Sequence, residues 1–366
     1  MTDRTIDGLR EDVTTLDREI VALLNKRAGF SRDIGNIKIE EGLAVYDPAR
    51  EAMVYDSLAA INQGVLPENA LMAIYREILS VSRALQAPVG IACLGPEASF
   101  SHLAVRSHFG SATSISMQKT IYQVFDAVER GKADWGVVPV ENSLEGAVNL
   151  TLDRLISTPL KIRGEILLRI SYCLLSAGPG LDRIRKVYSH PQALAQCQNW
   201  LRVHLPKADL IEMESTAAAA ASIAERPESA AVGSRMAAEV YGLNVISENI
   251  EDHASNTTRF LIMGTGKGLP TRSDKTSIIF GTPHTPGALY RALRPFAERG
   301  INLLKIASYP VKDSGRERSS SWEYILFADA EGHEEDGHVE NCLQDLKNAT
   351  TFIKILGAYP QGRSVL

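Results

Sequence analysis

Three cations on or beside the apolar seam of the first predicted helix are the first residues whose types and spacing suggest chemistry. Arg27 occupies a seam position where an apolar residue is expected, and Arg10 and Lys38 each directly follow a seam residue. Because a helix rises about 1.5 Å per residue, Arg27 and Lys38 lie roughly 16 Å apart on nearly one face, whereas Arg10 lies roughly 25 Å from Arg27. Arg27 and Lys38 could therefore reach toward one small anion, and Arg10 could join them only from a second chain. A seam cation is also typical of a coiled coil with one register-setting residue, and the helix alone leaves this alternative open.

The helix that must position these cations is predicted from Thr5 to about Glu40. With Arg27 included, its seam residues alternate between spacings of three and four, and the apolar ones are Ile6, Leu9, Val13, Leu16, Ile20, Leu23, Phe30, Ile34 and Ile37. A heptad pattern of this length predicts a helix that packs along its whole seam against a partner.

Two more helices complete the N-terminal segment. Glu41-Gly42 breaks the first helical pattern, and Asp47-Pro48 is a helix-starting pair that opens a helix to about Ile61. A third helix is predicted from about Glu68 to Gln86. Residues 1–87 are thus all helical, and their narrow apolar seam is insufficient for a good core alone, which favours an intertwined dimer.

The bulk composition excludes some classes of protein. With 366 residues, a net charge of −5 and a pI near 6.0, the chain does not suit a nucleic-acid or anionic-membrane partner. The N-terminus lacks a signal-peptide pattern and no apolar run is as long as a membrane span, so we expect a cytoplasmic protein. Four scattered cysteines, Cys93, Cys173, Cys197 and Cys342, lack metal-ligand spacing, so we expect buried reduced thiols and no metal or cofactor.

From Pro88 onward, short β-rich runs alternate with helical runs. The predicted strands are GIACLG, ADWGVVPV, EILLRISYCLLS, IRKVYS, ADLIEM, SAAVG and RFLIMG, and the predicted helices are 101–109, 120–130, 191–204 and 216–225. This pattern predicts an α/β domain over residues 88–265, long enough for two lobes with a cleft between them. The glycine-rich stretch from Gly264 to Asp274 is typical of a linker.

The remaining residues, 275–366, follow a different order of elements. TSIIFGT, INLLKIASYPV, SWEYILFADA and TFIKILGAYP are predicted strands, and residues 287–299 and 338–348 are predicted helices. The order β-α-β-β-α-β is that of the ferredoxin-like α+β fold. We expect the charged segment 312–320 to be an exposed hairpin loop.

These three segments resemble known families. The N-terminal helices resemble the all-helical chorismate mutases. The middle resembles the prephenate dehydratases, which have a two-lobed, periplasmic-binding-protein-like fold, through GPEASFSHLA, ENSLEGAV, SHPQALAQC and the triplet Thr258-Arg259-Phe260. The tail resembles an ACT regulatory domain. In this order the chain resembles the bifunctional chorismate mutase/prephenate dehydratases of bacterial phenylalanine synthesis, which implies the substrates chorismate and prephenate, the effector L-phenylalanine, and a homodimer or higher oligomer.

The resemblance implies a set of mutase contacts. These are Arg10, Arg27, Lys38, Asp47, Arg50, Glu51, Ser82 and Gln86. The rearrangement of chorismate is pericyclic, so catalysis requires only a compact substrate conformer and stabilisation of charge on the breaking ether oxygen. Arg27 and the Arg10 of a second chain would hold carboxylates, and Lys38 and Gln86 would donate to the ether oxygen. A carboxylate at Asp47 is equally typical of a helix start.

The resemblance also implies the dehydratase contacts. These are Ser99, Glu141, Asn142, Ser143, Ser189, His190, Thr216, Thr258, Arg259 and Phe260. The essential role goes to Thr258, although a free threonine hydroxyl is a very weak acid, so His190 or Glu141 are candidates for assisting it. Arg259 could bind a substrate carboxylate or support the triplet, and the sequence leaves both open.

The tail departs from the effector motifs of its family. The implied effector contacts are Gly287, Ala288, Leu289, Ala307, Ser308, Tyr309 and Pro310. The first three match the family's GAL motif, but Ala307 and Tyr309 replace a glutamate and an arginine of the usual Glu-Ser-Arg-Pro. Feedback inhibition by phenylalanine is therefore a hypothesis, with weakened affinity or an altered ligand as alternatives.

Two other interpretations of function are available. A ligand sensor could bind a small acid in the middle segment and an amino acid in the tail, but it would have no reason to keep the intact triplet and the full mutase set. Arogenate could replace prephenate, because no residue can be named that distinguishes the amino group of one from the keto group of the other.

Overall fold

The computed structural model describes residues 5–310, 324–362 and 364–365. Its contacts divide the chain into two compact units. The first comprises the described residues up to Asp47 together with 61–89 and 109–114, and the second comprises the rest. The predicted hairpin loop 312–320 lies outside the described residues. In the part of the chain that is described, no helix is sufficiently long and apolar to cross a membrane.

The three N-terminal helices have the predicted bounds. They are α1 (Ile6–Glu41), α2 (Pro48–Ile61) and α3 (Glu68–Gln86). Thr5 caps α1 by accepting a hydrogen bond from the Gly8 N–H at 3.2 Å, and Gly42 ends it in the left-handed conformation at φ 67°. Helix α1 is continuous, which confirms the helical geometry used to estimate the distances among Arg10, Arg27 and Lys38.

The first unit packs around the carboxyl end of α3. The ring of Tyr46 meets that of Phe109 edge to face, with centroids 4.9 Å apart. Arg83 stacks over both rings and donates to the Phe109 carbonyl at 2.5 Å. Residues 109–114 therefore belong to this unit, which their position among the predicted α/β elements did not indicate.

The apolar seam of α1 is exposed. Within the described chain, Ser31 and Gly35 are the only buried residues of this 36-residue helix. The seam residues Ile6, Val13, Leu16, Ile20, Leu23, Phe30 and Ile37 are each more than half exposed. An exposed apolar face of this extent marks an interaction surface.

The second unit contains three sheets. Its strands are β1 (Gly90–Leu94), β2 (Ser114–Gln118), β3 (Trp135–Asn142), β4 (Gly146–Ala147), β5 (Lys161–Arg169), β6 (Cys173–Ser176), β7 (Lys186–Ser189), β8 (Asp209–Glu212), β9 (Ser229–Gly233), β10 (Asn244–Ser247), β11 (Thr257–Gly264), β12 (Asp274–Gly281), β13 (Leu303–Pro310), β14 (Tyr324–Glu331), β15 (Phe352–Pro360) and β16 (Ser364–Val365). Besides α2, of which only the last residue lies outside this unit, its helices are α4 (Phe100–Phe109), α5 (Ile121–Glu129), α6 (Asn149–Ser157), α7 (Pro191–Gln196), α8 (Gln198–His204), α9 (Thr216–Ser222), α10 (Arg235–Tyr241), α11 (Ala288–Glu298) and α12 (Gly337–Ala349).

The middle segment forms the two predicted lobes. The sheet of the first lobe has the order β16-β5-β11-β3-β1-β2, with β4 paired to β3, and the sheet of the second lobe has the order β10-β6-β9-β7-β8. The chain crosses between the lobes after β5 and returns before β11. The two crossings are adjacent, since the Ile170 N–H donates to the Asn256 carbonyl at 2.8 Å.

Two predicted elements are wrong in extent. The run EILLRISYCLLS is divided between β5 and β6, because the chain changes sheets at residues 170–172. The predicted helix 191–204 is two helices, α7 and α8, separated at Cys197. Strands β2, β4, β10 and β16 and helices α6 and α10 were not predicted.

The tail has the predicted ferredoxin-like order, and both faces of its sheet are covered. One face, with Ile278 and Phe280, packs on α11 and α12. The other face, with Ile279 and Phe327, packs into the core of the first lobe. At Gly357 the backbones of β15 and β5 approach so closely that a Cβ atom would lie 2.2 Å from the Ile162 carbonyl oxygen. The tail is therefore part of the same compact unit as the lobes.

Candidate active sites

Four of the predicted mutase residues that lie in the first unit come from two helices. Two are in the carboxyl half of α1, and two are near the end of α3. Arg27 donates through Nη1 to the hydroxyl of Ser82, which donates in turn to the Ile78 carbonyl at 2.7 Å. Lys38 donates to the Val45 carbonyl at 2.8 Å. Gln86 packs against Gly35 of α1, where an added Cβ atom would lie 2.6 Å from the Gln86 Cα atom.

Gln86 has an unusual environment. Its Oε1 atom is buried and has no hydrogen-bond partner among the described residues. A buried amide oxygen without a partner is costly, and it is commonly satisfied by a bound molecule or water. The side chain thus places a polar group where α3 packs against α1.

The other predicted mutase residues lie elsewhere. The Arg10 side chain is 76% exposed and pairs only with Asp7, at 3.2 Å, in the described residues. It lies 17 positions before Arg27 on the continuous helix α1, so the two cations cannot meet within one chain. Asp47 directly precedes α2, and Arg50 and Glu51 lie in its first turns.

Thr258 lies opposite Asn142 on adjacent antiparallel strands, β11 and β3. Asn142 donates through Nδ2 to Thr258 Oγ1 at 2.9 Å. The orientation of this amide is fixed, because its Oδ1 accepts from the backbone N–H groups of Leu144 at 3.0 Å and Glu145 at 3.2 Å. With its oxygen accepting from Asn142, the Thr258 hydroxyl has its own proton available for a bound molecule.

A chain of amides extends this contact toward the second lobe. Asn142 also donates to Asn256 Oδ1 at 2.7 Å, Asn256 donates to Gln196 Oε1 at 2.8 Å, and Gln196 donates to Glu145 Oε1 at 3.1 Å. Such chains polarise one another, and this one ends on a carboxylate. The sequence reasoning missed Asn256 and Gln196. The available signals were the i, i+2 spacing of Asn256 and Thr258 in an extended segment and the place of Gln196 in the SHPQALAQC motif.

The other predicted small donors are already engaged. Ser143 donates to the Ser255 carbonyl at 3.1 Å. Ser99 donates to the Leu94 carbonyl at 3.0 Å. The fully buried Ser189 donates to the Val232 carbonyl at 2.7 Å. Thr216 begins α9, and His190 caps α7 by accepting from the Gln192 N–H at 3.4 Å. The three serine hydroxyls, as placed, hold backbone segments of the lobes together.

The two side chains proposed to assist Thr258 do not contact it. Among the described residues, no hydrogen bond joins the Thr258 hydroxyl to His190 or Glu141. Glu141 instead forms an ion pair with Lys305 of β13. The geometry thus gives the hydroxyl an amide partner rather than an acid.

Arg259 and Phe260 lie in the interior. Arg259 donates to Glu165 at 2.7 Å, to Asp329 at 2.6 Å and to the Tyr359 hydroxyl at 2.9 Å. Burial alone would lower the pKa of Arg259, but Tyr359, Asp329 and Glu165 outweigh burial and raise it, so the guanidinium stays charged. Phe260 is 1% exposed. Of the two roles left open for Arg259, this geometry favours support of the triplet over contact with a substrate.

The predicted effector residues lie in two places. Gly287, at φ 77°, caps α11, where Ala288 is buried and Leu289 is exposed. On β13, Ala307 is half-buried, Ser308 is exposed, and the buried Tyr309 donates its hydroxyl proton to Asp153 of the first lobe. Burial, and then the bond to Asp153, raises the pKa of Tyr309 to about 12, so the donor stays neutral. Pro310 is the last residue of β13.

Comparison with known proteins finds three family models that match this chain in the predicted order. Models of chorismate mutase type II, prephenate dehydratase and the ACT domain match residues 9–87, 91–268 and 276–348. The bifunctional chorismate mutase/prephenate dehydratase of Aquifex aeolicus is 44% identical over 96% of this chain and 97% of that protein. The chain belongs to this family. The protein is thus an enzyme with two activities. The member of the family from Neisseria gonorrhoeae is 42% identical to it over 98% of both chains.

A solved structure supports the fold of the larger unit. The prephenate dehydratase from Arthrobacter aurescens in complex with L-Phe has a TM-score of 0.67 and 33% identity, and covers 74% of this chain and 90% of that one. The full-length bacterial relatives are named for prephenate, so the arogenate alternative is not favoured. Within the described residues, no group of three or more His, Cys, Asp or Glu side chains could hold a metal ion.

Proposed function

We propose that Thr258 of this enzyme acts as an oriented hydrogen-bond donor to the ring hydroxyl that leaves prephenate. The reaction forms phenylpyruvate by loss of carbon dioxide and that hydroxyl, and hydroxide is a poor leaving group without a donor. The observation that carries the proposal is the 2.9 Å bond from Asn142 to the Thr258 oxygen, because Asn142 is the donor in it and the threonine proton remains available for donation. The amide chain that ends on Glu145 supports this orientation.

The test is substitution of Thr258. In Thr258→Ala, phenylpyruvate formation should fall by roughly 100-fold or more, the usual cost of a catalytic donor, while chorismate consumption is retained. Thr258→Ser should recover part of the activity, since it keeps the hydroxyl. Both rates are measured on one preparation, so that the mutase reports on folding. Loss of both rates would indicate misfolding, and a full dehydratase rate in Thr258→Ala would refute the role.

For the mutase we propose a site built from Arg27, Lys38, Ser82 and Gln86 of one chain and Arg10 of a second. Guanidinium groups hold the two carboxylates of chorismate, and Lys38 and Gln86 donate to the breaking ether oxygen. The position of Gln86 against Gly35 of α1 and the Arg27–Ser82 contact support this proposal. Asp47, Arg50 and Glu51 are further candidates for contact with chorismate, because the resemblance to the chorismate mutases assigns them to the mutase.

The proposed oligomer is at least a dimer formed along the α1 seam. The apolar seam residues are exposed along the whole helix. With only two buried residues among 36, α1 gains little stability from packing within one chain, so a partner helix is needed along the seam. We also propose that L-phenylalanine regulates the dehydratase through the tail, on the strength of the L-Phe complex of the related dehydratase. The four buried free cysteines support the predicted cytoplasmic location.

A further inference from the structure

A buried ionic network joins the ACT domain to the strand that carries Thr258. Arg259 of β11 and Glu165 of β5 come from the first lobe, and the ACT strands supply Asp329 and Tyr359. The side chains of Glu165 and Asp329 are each 1% exposed. Burial raises the pKa of Tyr359 well above its usual value, so this hydroxyl is a neutral member of the network at any working pH.

The network is completed from the ACT side. Lys275 of β12 pairs with the second oxygen of Glu165 at 2.6 Å. Ser277 of β12 donates to Asp329 Oδ1 at 2.5 Å and contacts the Tyr359 hydroxyl at 2.6 Å. Two cations thus face two carboxylates, so the buried charges balance.

A second charged contact lies on the neighbouring strand. Lys305 of β13 forms an ion pair with Glu141 of β3. The lysine side chain is 17% exposed and the glutamate side chain 35% exposed, so the pair is only partly screened by solvent. Lys305 also lies over the ring of Phe327, 5.7 Å from its centroid. Its position is therefore fixed by the ACT sheet.

Strand register relates these contacts to the reacting hydroxyl. Thr258 is opposite Asn142, and the next pair along the strands is Arg259 opposite Glu141. Successive side chains of a strand point to opposite faces of the sheet. Arg259 and Glu141 therefore point toward the ACT domain, and Thr258 and Asn142 point to the opposite face. A register shift follows Arg259, at the point where two neighbouring strands most readily re-aim their side chains.

We propose that the ACT domain positions the Thr258–Asn142 pair through its contacts with Arg259 and Glu141, and that Lys305 of β13 is the residue that positions β3. The inference rests on the proposed role of Thr258. Lys305 touches no reacting atom. It fixes Glu141, and through the backbone it fixes the direction in which the adjacent Asn142 amide presents its N–H to Thr258.

The experiment compares Lys305→Met with Lys305→Arg and with a matched control. Lys354→Met is the control, because Lys354 also reaches from the ACT sheet to the first lobe but binds the carbonyls of Leu155, Ile156 and Thr158 at the end of α6. Dehydratase kcat and KM for prephenate, mutase rate and melting temperature are measured for each variant. Lys305 is preferred to Asp329, because removal of one partner from a buried network destabilises the fold.

Lys305→Met should lower the dehydratase kcat about 10- to 100-fold, the range expected for a small misplacement of a catalytic group, with KM and the mutase rate unchanged. Lys305→Arg should restore most of kcat, and Lys354→Met should keep kcat despite a lower melting temperature. In a Thr258→Ala background, Lys305→Met should have no further effect.

Three outcomes would overturn the inference. An unchanged kcat in Lys305→Met would show that the pair does not position the site. An equal loss of kcat in Lys354→Met would indicate docking of the ACT domain in general. A raised KM with normal kcat would place Glu141 on the substrate. Full activity of Thr258→Ala would instead refute the role of the threonine, which is a separate result.

Discussion

A threonine hydroxyl becomes useful in catalysis through its neighbours rather than through its acidity. In this enzyme Thr258 accepts from Asn142, whose own orientation is fixed by two backbone N–H groups, so the threonine proton remains available for donation. The triplet that contains Thr258 was recognisable in the sequence. Asn256 and Gln196, which bond to Asn142 and to each other, were missed, because spacing and motif can mark them as candidates but do not show that a lobe crossing and a helix lie side by side.

The Gln86 amide leads to a prediction about pH. An amide donates at any pH, so wild-type mutase activity should vary little around neutrality. In Gln86→Glu only the protonated carboxyl can donate, and burial favours that neutral form by raising the carboxyl pKa. Activity of the variant should therefore rise as pH falls. The pH dependence of chorismate consumption measures this effect.

The control is Gln86→Ala, which should have low mutase activity at every pH. A Gln86→Glu profile as flat as that of the wild type would contradict the ether-oxygen role of Gln86.

At the scale of elements, α1 has one periodicity and two tasks. Its apolar seam is the proposed surface for a second chain. Its cations Arg10, Arg27 and Lys38 are the residues proposed to bind chorismate. The bounds of α1, α2 and α3 followed from caps, a proline and a turn, since such signals are local. The division of EILLRISYCLLS between two sheets did not, because an apolar run has the same pattern whether it stays in one sheet or crosses to another.

Mixed dimers test the two tasks of α1 together. An Arg10→Ala subunit paired with a Lys38→Ala subunit should regain mutase activity, because one of the two sites then contains only unaltered residues. With random mixing, roughly a quarter of the wild-type rate is expected. The measurement is the rate of chorismate consumption after the two inactive variants are unfolded together and refolded.

The matched control pairs Arg27→Ala with Lys38→Ala. Both residues belong to the same chain at each site, so neither site of the mixed dimer is intact and no activity should return. Failure of the first pair to recover, with mixing verified, would refute the shared site.

At the scale of the whole molecule, the ACT sheet is an internal layer. Its helices cover one face and the first lobe covers the other, which the β-α-β-β-α-β pattern alone did not predict, because a ferredoxin-like sheet usually has one free face. Tyr309, which replaces the arginine of the effector motif, is used in this packing through its bond to Asp153.

This packing leads to a prediction about regulation. Millimolar L-phenylalanine should lower the dehydratase rate, because a ligand at the ACT motifs would act on strands that contact the first lobe directly. The mutase rate, measured in parallel, should not change. D-phenylalanine is the matched control ligand. Absence of any effect of L-phenylalanine would show that the substitutions at Ala307 and Tyr309 have removed the regulation.

The close approach of Gly357 to β5, and the pairing of β16 with that same strand, have a consequence for modularity. The glycine-rich segment before β12 separates two families in sequence, yet it does not separate two independently stable bodies. A cut in that segment should leave fragments that remain associated, because each buries the apolar surface of the other. An ACT domain grafted from another protein would therefore need its own counterparts of Lys305, Asp329 and Tyr359 before it could replace this one.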